Sequence, residues 1–173
     1  MNRRELETLL LTLESTPALL ARAAAGVSTA AARCRPARGG FSFVENVWHL
    51  ADLEREGYGV RIRRLLAEDG PALLNFDGDR IARERVYEER DVERGIAAFA
   101  RARQQNLEAL RRLSPSDWKR GGAQEGVGRV TLDDIPRLMA DHDRSHEADI
   151  AALFAELRGE KPAACPHPTS AVA

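Results

Sequence analysis

The chain has 173 residues, enough for one domain with a substantial buried core, and this length argues against a second domain. Its 26 lysines and arginines nearly balance 27 aspartates and glutamates, and no stripe of basic residues is interleaved with aromatic ones, which argues against nucleic-acid binding. The N-terminal leucines are interrupted by polar residues, so we expect neither a signal peptide nor a membrane span but a soluble cytoplasmic protein.

Four stretches of helical periodicity, without a convincing run of alternating β-branched residues, predict an all-α chain. The first helix is predicted over about residues 2–25, with a kink or a break at Thr16-Pro17. An Arg/Pro/Gly-rich linker, RCRPARGG, follows it. The second helix is predicted over about residues 41–68, before the terminating sequence Asp69-Gly70-Pro71.

The middle of the chain is a long connection followed by the third helix. Residues 71–90 form this connection, with a short helix expected around residues 81–87. The third helix is predicted over about residues 92–113, because Asp91 is a suitable N-cap and Ser114-Pro115 ends the pattern.

The last third of the chain contains a glycine-rich segment, a helix and a tail. Residues 117–129 are predicted to be a loop, and the fourth helix is expected to open near residues 131–134, where Thr131 and Asp134 resemble a capping box. This helix runs to about Leu157, and residues 159–173 are predicted to be a flexible tail.

The lengths of the connections predict how the helices are arranged. Short links favour antiparallel neighbours, whereas the long connection between helices two and three can return the chain along the whole bundle. The sequence therefore predicts a four-helix bundle with up-down-down-up topology.

Two of the four histidines, His142 and His146, lie four residues apart in the fourth predicted helix. At 100° per residue they face nearly the same way, within the apolar stripe that contains Ile135, Met139 and Ile150. A buried imidazole needs a polar partner, and either a metal ion or a carboxylate or carbonyl group can supply it. The spacing alone leaves both interpretations open.

His49 is the only other histidine inside a predicted helix. Val44 and Val47 cluster nearly opposite it on the helical wheel, so the pattern alone does not place it in the main core. Because a helix in a bundle contacts two neighbours, His49 is nevertheless permitted to face the fourth helix.

Three sequence segments resemble the DinB-like superfamily, which includes thiol-dependent S-transferases. They are ENVWHLADLE around His49, VTLDD before the fourth helix, and HDRSHEADI within it. The resemblance covers roughly residues 1–158 and implies one DinB-like four-helix bundle over that range. It also implies a homodimer and a divalent metal ion bound by His49, His142 and His146.

A metal site of this kind predicts a class of chemistry. Three neutral imidazoles leave a coordination position open to water or substrate, and they suit zinc, nickel or iron. Such an ion lowers the pKa of a bound water or thiol. The resemblance implies that a low-molecular-weight thiol, such as bacillithiol, mycothiol or glutathione, is activated to attack a small-molecule electrophile.

Three carboxylates are candidates for orienting the imidazoles or for moving a proton. Glu45 lies one turn before His49, Asp52 three residues after it, and Asp149 three residues after His146. Each of these carboxylates is also compatible with a position on a solvated helix face. The sequence identifies no catalytic residue.

Other metal-site families fit the residues less well. A metalloprotease of the H-E-x-x-H type needs a glutamate where Asp143 stands, and ferritin-like di-iron sites need Glu-x-x-His pairs that this chain lacks. The remaining alternative is a non-enzymatic metal-binding or stress-response bundle with a structural or vestigial site. A structural zinc site has four protein ligands, which Cys165 or His167 in the tail would complete.

Overall fold

The structure is a computed structural model that describes residues 2–159; of the tail predicted over residues 159–173, all but Gly159 lies outside the described residues. The helices are α1 (Arg3–Ala25), α2 (Thr29–Ala32), α3 (Phe43–Asp52), α4 (Gly59–Ala67), α5 (Gly78–Glu84), α6 (Val92–Arg111) and α7 (Ile135–Arg158). A π-helical segment, Leu53–Tyr58, joins α3 to α4, and short 3₁₀ turns lie at Tyr87–Glu89 and Asp117–Lys119. Within the described range, no helix is both long and apolar enough to cross a membrane.

Two apolar clusters, at opposite ends of the bundle, define the direction of its four long helices. One joins the first halves of α1 and α7 to α4 and the second half of α6, through Leu10, Leu13, Ile62, Leu65, Leu107, Leu110, Ile135 and Met139. The other joins the remaining halves, through Leu20, Phe43, Val47, Phe99, Ile150 and Leu153. Helices α1 and α7 therefore run one way and α3–α4 and α6 the other, which confirms the predicted up-down-down-up bundle.

Local hydrogen bonds explain where two of the long helices begin. Ser42 and Glu45 form a reciprocal capping box at the start of α3, so that helix begins within two residues of its predicted position. The carboxylate of Asp91 accepts a hydrogen bond from the backbone N–H of Arg94 at 2.8 Å, as expected of an N-cap.

Helix α1 continues through Pro17, so the alternative of a break at this position is wrong. Proline has no N–H to donate to the carbonyl oxygen of Leu13 one turn earlier. Arg103 of α6 donates to that oxygen instead, at 3.0 Å from its Nη1 atom. A tertiary contact thus satisfies the carbonyl group that proline leaves without an intrahelical partner.

The glycine-rich segment predicted to be a loop over residues 117–129 contains strands, which corrects that prediction. Strands β2 (Gly121–Gln124) and β3 (Gly128–Thr131) form an antiparallel hairpin, and β1 (Ala72–Leu73) pairs in parallel with β2. Strands of two to four residues are too short to show an alternating pattern. The sheet brings the long connection after α4 alongside the hairpin that precedes α7.

Two further boundaries differ from the prediction. The short helix α5 begins at Gly78, before the expected residues 81–87, because the side chain of Asp77 caps it by accepting from the N–H of Arg80. Helix α7 begins at Ile135 rather than near 131. Thr131 donates to the carboxylate of Asp134 through its N–H and its hydroxyl, at 2.8 and 2.6 Å, but within a turn that precedes the helix.

Candidate metal centre

The three histidines singled out in the sequence meet between α3 and α7. The Nε2 atom of His142 lies 3.3 Å from Nε2 of His49 and 3.2 Å from Nε2 of His146. Within the described range, one potential ligand atom from each of these residues lies within 4.8 Å of the others. The bundle therefore brings together His49 and His142, which lie 93 positions apart in the sequence.

The two distances from Nε2 of His142 fit a tetrahedral metal site. Two nitrogens bound to zinc at about 2.0–2.1 Å, with a tetrahedral angle between them, lie about 3.3–3.4 Å apart. Hydrogen bonding within the cluster cannot replace a cation, because a neutral imidazole nitrogen either donates one proton or accepts one. The Nε2 atom of His142 faces two such nitrogens at once and can serve only one of them in this way.

The imidazoles are in the protonation state that binds a metal. Burial, together with the positive charge that neighbouring histidines would carry, lowers the pKa of His49 to about 3 and that of His142 to about 4. Burial also lowers the pKa of His146. All three rings are therefore neutral near pH 7, each with a lone pair available.

Asn46, which is not among the site residues predicted from the sequence, fixes the orientation of His146. Its Nδ2 atom donates to the carbonyl oxygens of Phe41 and Ser42, at 3.2 and 2.9 Å, so its Oδ1 atom is the one that lies 2.6 Å from Nδ1 of His146. The Nδ1 atom of His146 must then carry the proton, which leaves the lone pair on Nε2. The only sequence signal for this role is that Asn46 lies three residues before His49 and shares its helix face.

Close packing confines the ring of His49. A Cβ atom at Gly78 would lie only 2.4 Å from Cε1 and 2.6 Å from Nδ1 of this ring, so the first residue of α5 must be glycine for His49 to keep its place. The rings of Phe41 and Phe76 lie beside it, with centroids 5.3 and 5.7 Å away. The Nδ1 atoms of His49 and His142 are buried and have no hydrogen-bond partner among the described residues.

The hydrogen bonds of Glu45 and Asp52, two of the three candidate supporting carboxylates, go to partners other than the histidines. Glu45 accepts from the N–H and hydroxyl of Ser42 and from Arg35, and so caps α3. Asp52 is fully buried and accepts from Tyr87, at 2.6 Å, and from Arg85. These bonds attach α3 to the linker and to the connection before α6.

The third candidate, Asp149, lies close to the site but is exposed. One of its carboxylate oxygens is 3.4 Å from Nη2 of Arg38. Asp149 and His146 line the same cavity, of about 180 Å³, and the negative charge of Asp149 acts to raise the pKa of His146. Asp149 is thus placed to influence a ligand beside the histidines through its charge rather than by direct hydrogen bonding to a ring.

A buried ion cluster lies directly beside His142 and links all four long helices. Arg103 donates to both oxygens of Asp143, at 2.7 and 2.9 Å, and to Glu54 of the π-helical segment at 2.9 Å. Thr16 of α1 donates to Asp143, and Asn106 donates to Glu54, at 2.8 Å in each case. The cluster holds α7, and with it His142, in register with the other three helices.

The fold and the three-histidine cluster define the class of the protein: the chain belongs to the DinB superfamily, whose family model matches residues 12–150. Among solved structures, the chain is similar to YfiT from Bacillus subtilis, which is described as a probable metal-dependent hydrolase with an unusual four-helix bundle topology. The two are 22% identical and superpose with a TM-score of 0.85, over 92% of this chain and 91% of that one. This likeness establishes the bundle fold. No functionally curated protein matches the chain.

Proposed function

We propose that the protein is a metal-dependent enzyme in which His49, His142 and His146 bind a divalent ion. The observation that carries this proposal is the convergence of three neutral imidazoles, in which Nε2 of His142 lies at ligand-like distances from Nε2 of both other rings. No fourth histidine, cysteine or carboxylate joins the cluster within residues 2–159. Three ligands leave a position for water or substrate, which is the arrangement of catalytic rather than structural zinc sites.

The reaction that we propose is transfer of a low-molecular-weight thiol to an electrophilic small molecule. A divalent ion such as zinc, nickel or iron, when bound, would lower the pKa of a thiol or a water in the open position. The resemblance to thiol-dependent S-transferases supports a thiol as the nucleophile. Hydrolysis, with water as the nucleophile, is the second candidate because YfiT is described as a probable hydrolase.

The side chains around the histidines support either reaction by preparing the site. Asn46 holds the proton on Nδ1 of His146 and so directs Nε2 into the cluster. Phe41 and Phe76 shield His49 from water, which strengthens electrostatic interactions at the site. We further propose, from the family resemblance, that the protein is a cytoplasmic homodimer.

A panel of nucleophiles tests the proposed reaction. The metal-loaded full chain is assayed with monochlorobimane and glutathione, mycothiol or bacillithiol, and in parallel with ester and amide substrates without thiol. We expect at least one thiol to be conjugated faster with protein than without it, and the acceleration to be absent from the metal-free protein and from His142→Ala. Metal-dependent hydrolysis without any thiol effect would establish the second candidate instead.

The non-enzymatic alternative makes a different prediction in the same assays. If the site is structural, neither thiol conjugation nor hydrolysis is accelerated, although the metal remains bound. A fourth protein ligand from Cys165 or His167 would account for that result, because it would occupy the position needed by the nucleophile.

A further inference from the structure

A second cavity is lined by Phe76, whose ring also contacts His49. Its volume is about 180 Å³, and its walls come from the π-helical segment, α4, the end of β1, the connection that follows it and α5. Val60, Arg61, Leu73, Phe76 and Ile81 are among the lining residues. Since one water molecule occupies about 30 Å³, the cavity accommodates a group of roughly six non-hydrogen atoms. It is therefore large enough for part of a small substrate.

Arg61 is a buried cation in this lining that has no acidic partner among the described residues. The residue is only 8% exposed, and its Nε–H is buried and makes no hydrogen bond. Its Nη2 atom makes one long bond, of 3.3 Å, to the carbonyl oxygen of Leu74. A guanidinium group has five donors, so most of the hydrogen-bonding capacity of Arg61 is unused.

The other charged side chains in the lining are already paired. The pairs are Arg64 with Glu68, Arg80 with Glu84 and Asp77, and Glu56 with Arg55 and Arg85. Burial of an unpaired charge is costly, and burial accordingly lowers the pKa of Arg61. The fold therefore bears the cost of one buried positive charge at this place without compensating it internally.

One aromatic ring separates Arg61 from the histidines. Its guanidinium carbon lies 5.6 Å from the ring centroid of Tyr58, and that ring contacts His142 edge-on at 6.3 Å between centroids. Phe76 lines the cavity and also contacts His49 edge-on. The cavity lining and the histidine cluster are thus connected through the rings of Tyr58 and Phe76.

We propose that Arg61 binds a carboxylate group of the substrate, so that the protein acts on small molecules that carry a carboxylate. The planar guanidinium group matches a carboxylate and pairs with it through two parallel hydrogen bonds. A doubly charged phosphate fits less well, because Glu56 and Asp77 also line the cavity and would repel it. The statement that the bound carboxylate belongs to a substrate rests on the proposed function. The binding of a carboxylate by Arg61 does not.

Nuclear magnetic resonance tests the carboxylate site without a metal. The probes are propionate, its neutral counterpart propionamide, and methyl phosphate, added to the metal-free full chain while the Nε–H signal of Arg61 is observed. Arg61→Gln identifies the signal by its loss. We expect propionate to shift the signal in a saturable way, with at least a tenfold weaker response to propionamide and to methyl phosphate. Arg63→Gln, which changes an exposed arginine on the same helix that does not line the cavity, should leave the response intact.

The outcomes separate this inference from the proposed function. An equal response to propionate and propionamide, or no saturable response to propionate, would overturn the carboxylate site even if the histidines bind a metal. A stronger response to methyl phosphate would overturn the choice of carboxylate. If Arg61→Gln does not fold, Arg61→Lys, which keeps a positive charge at this position, identifies the signal by its loss. The comparison of propionate with propionamide itself uses the unmodified protein. Failure of the histidines to bind metal would leave a positive propionate result standing.

Discussion

Two buried polar clusters lie next to each other on α7, and they differ in how completely the protein satisfies them. Asp143 belongs to an ion cluster in which Arg103, Thr16 and Asn106 supply hydrogen bonds to the two carboxylates from within the fold. His142, the preceding residue, belongs to a cluster of three neutral rings whose Nε2 atoms face one another. The first cluster contains its own cation, the guanidinium group of Arg103. The second cluster contains no cationic side chain among its three rings.

This difference assigns different roles to neighbouring residues. A buried cluster that contains its own opposite charges contributes to holding the helices in place, whereas a cluster of convergent lone pairs is complete only when a cation enters. Changes in the first cluster should therefore affect folding with or without metal. Changes in the second should affect metal binding far more than the stability of the metal-free protein.

The largest effect is expected for His142→Ala. We predict that this variant folds but retains no stoichiometric metal after dialysis, because it lacks the nitrogen that lies closest to both other ligands. Elemental analysis checks this, with about one ion per chain expected for the unmodified protein. His167→Ala is the matched control and should keep its ion. Full metal retention in His142→Ala would contradict the assignment of metal binding to the histidine cluster.

Arg103→Met is expected to destabilise the metal-free protein by about 3–5 kcal/mol, because it leaves two buried carboxylates without their cation. Urea unfolding measures the loss. Arg111→Met is the control, since the pair between Arg111 and Glu14 is exposed and such pairs contribute about 1 kcal/mol or less. If both variants lose the same small amount of stability, the ion cluster does not have the structural role that we assign to it.

Asn46→Ala should weaken metal binding by about 10- to 100-fold, because loss of an outer hydrogen bond to a ligand imidazole has an effect of this size. Competition with a chelator provides the affinity. Asn75→Ala serves for comparison, since Asn75 lies in an exposed loop where it bonds to Glu125. An affinity unchanged in Asn46→Ala would mean that the bond between Asn46 and His146 does not hold the ring in its binding orientation.

The smallest effect is expected for Asp149→Asn. Asp149 is exposed and pairs only loosely with Arg38, so its charge is screened by solvent. The variant should lose less than about 1 kcal/mol of metal-binding free energy in the same chelator competition. A loss as large as that of Asn46→Ala would show that Asp149 supports the site directly.

The sequence predicted the parts of the fold that local patterns encode. Apolar periodicity and the N-cap at Asp91 specify where helices form, and connection lengths specify their order in the bundle. The hairpin of β2 and β3 was missed because its strands are too short to establish a period.

The sequence predicted less of the surroundings of the histidines, because these depend on contacts between distant residues. Asp52 has a suitable position on its helix, but Arg85 and Tyr87 bind it from a later connection. In the sequence, Asn46 cannot be distinguished from other polar residues on a helix. In the folded chain, the carbonyl groups of Phe41 and Ser42 bind its Nδ2 atom, so its Oδ1 atom faces His146. The role of the outer side chains therefore emerges only from the folded chain.

Anomalous diffraction at the absorption edge of the metal tests the central claim most directly. Crystals of the full chain grown with zinc, nickel or iron should show one strong peak about 2.0–2.1 Å from the Nε2 atoms of His49, His142 and His146. No fourth protein ligand should be present. A peak elsewhere, or a site completed by Cys165 or His167, would contradict the account of an open three-histidine centre.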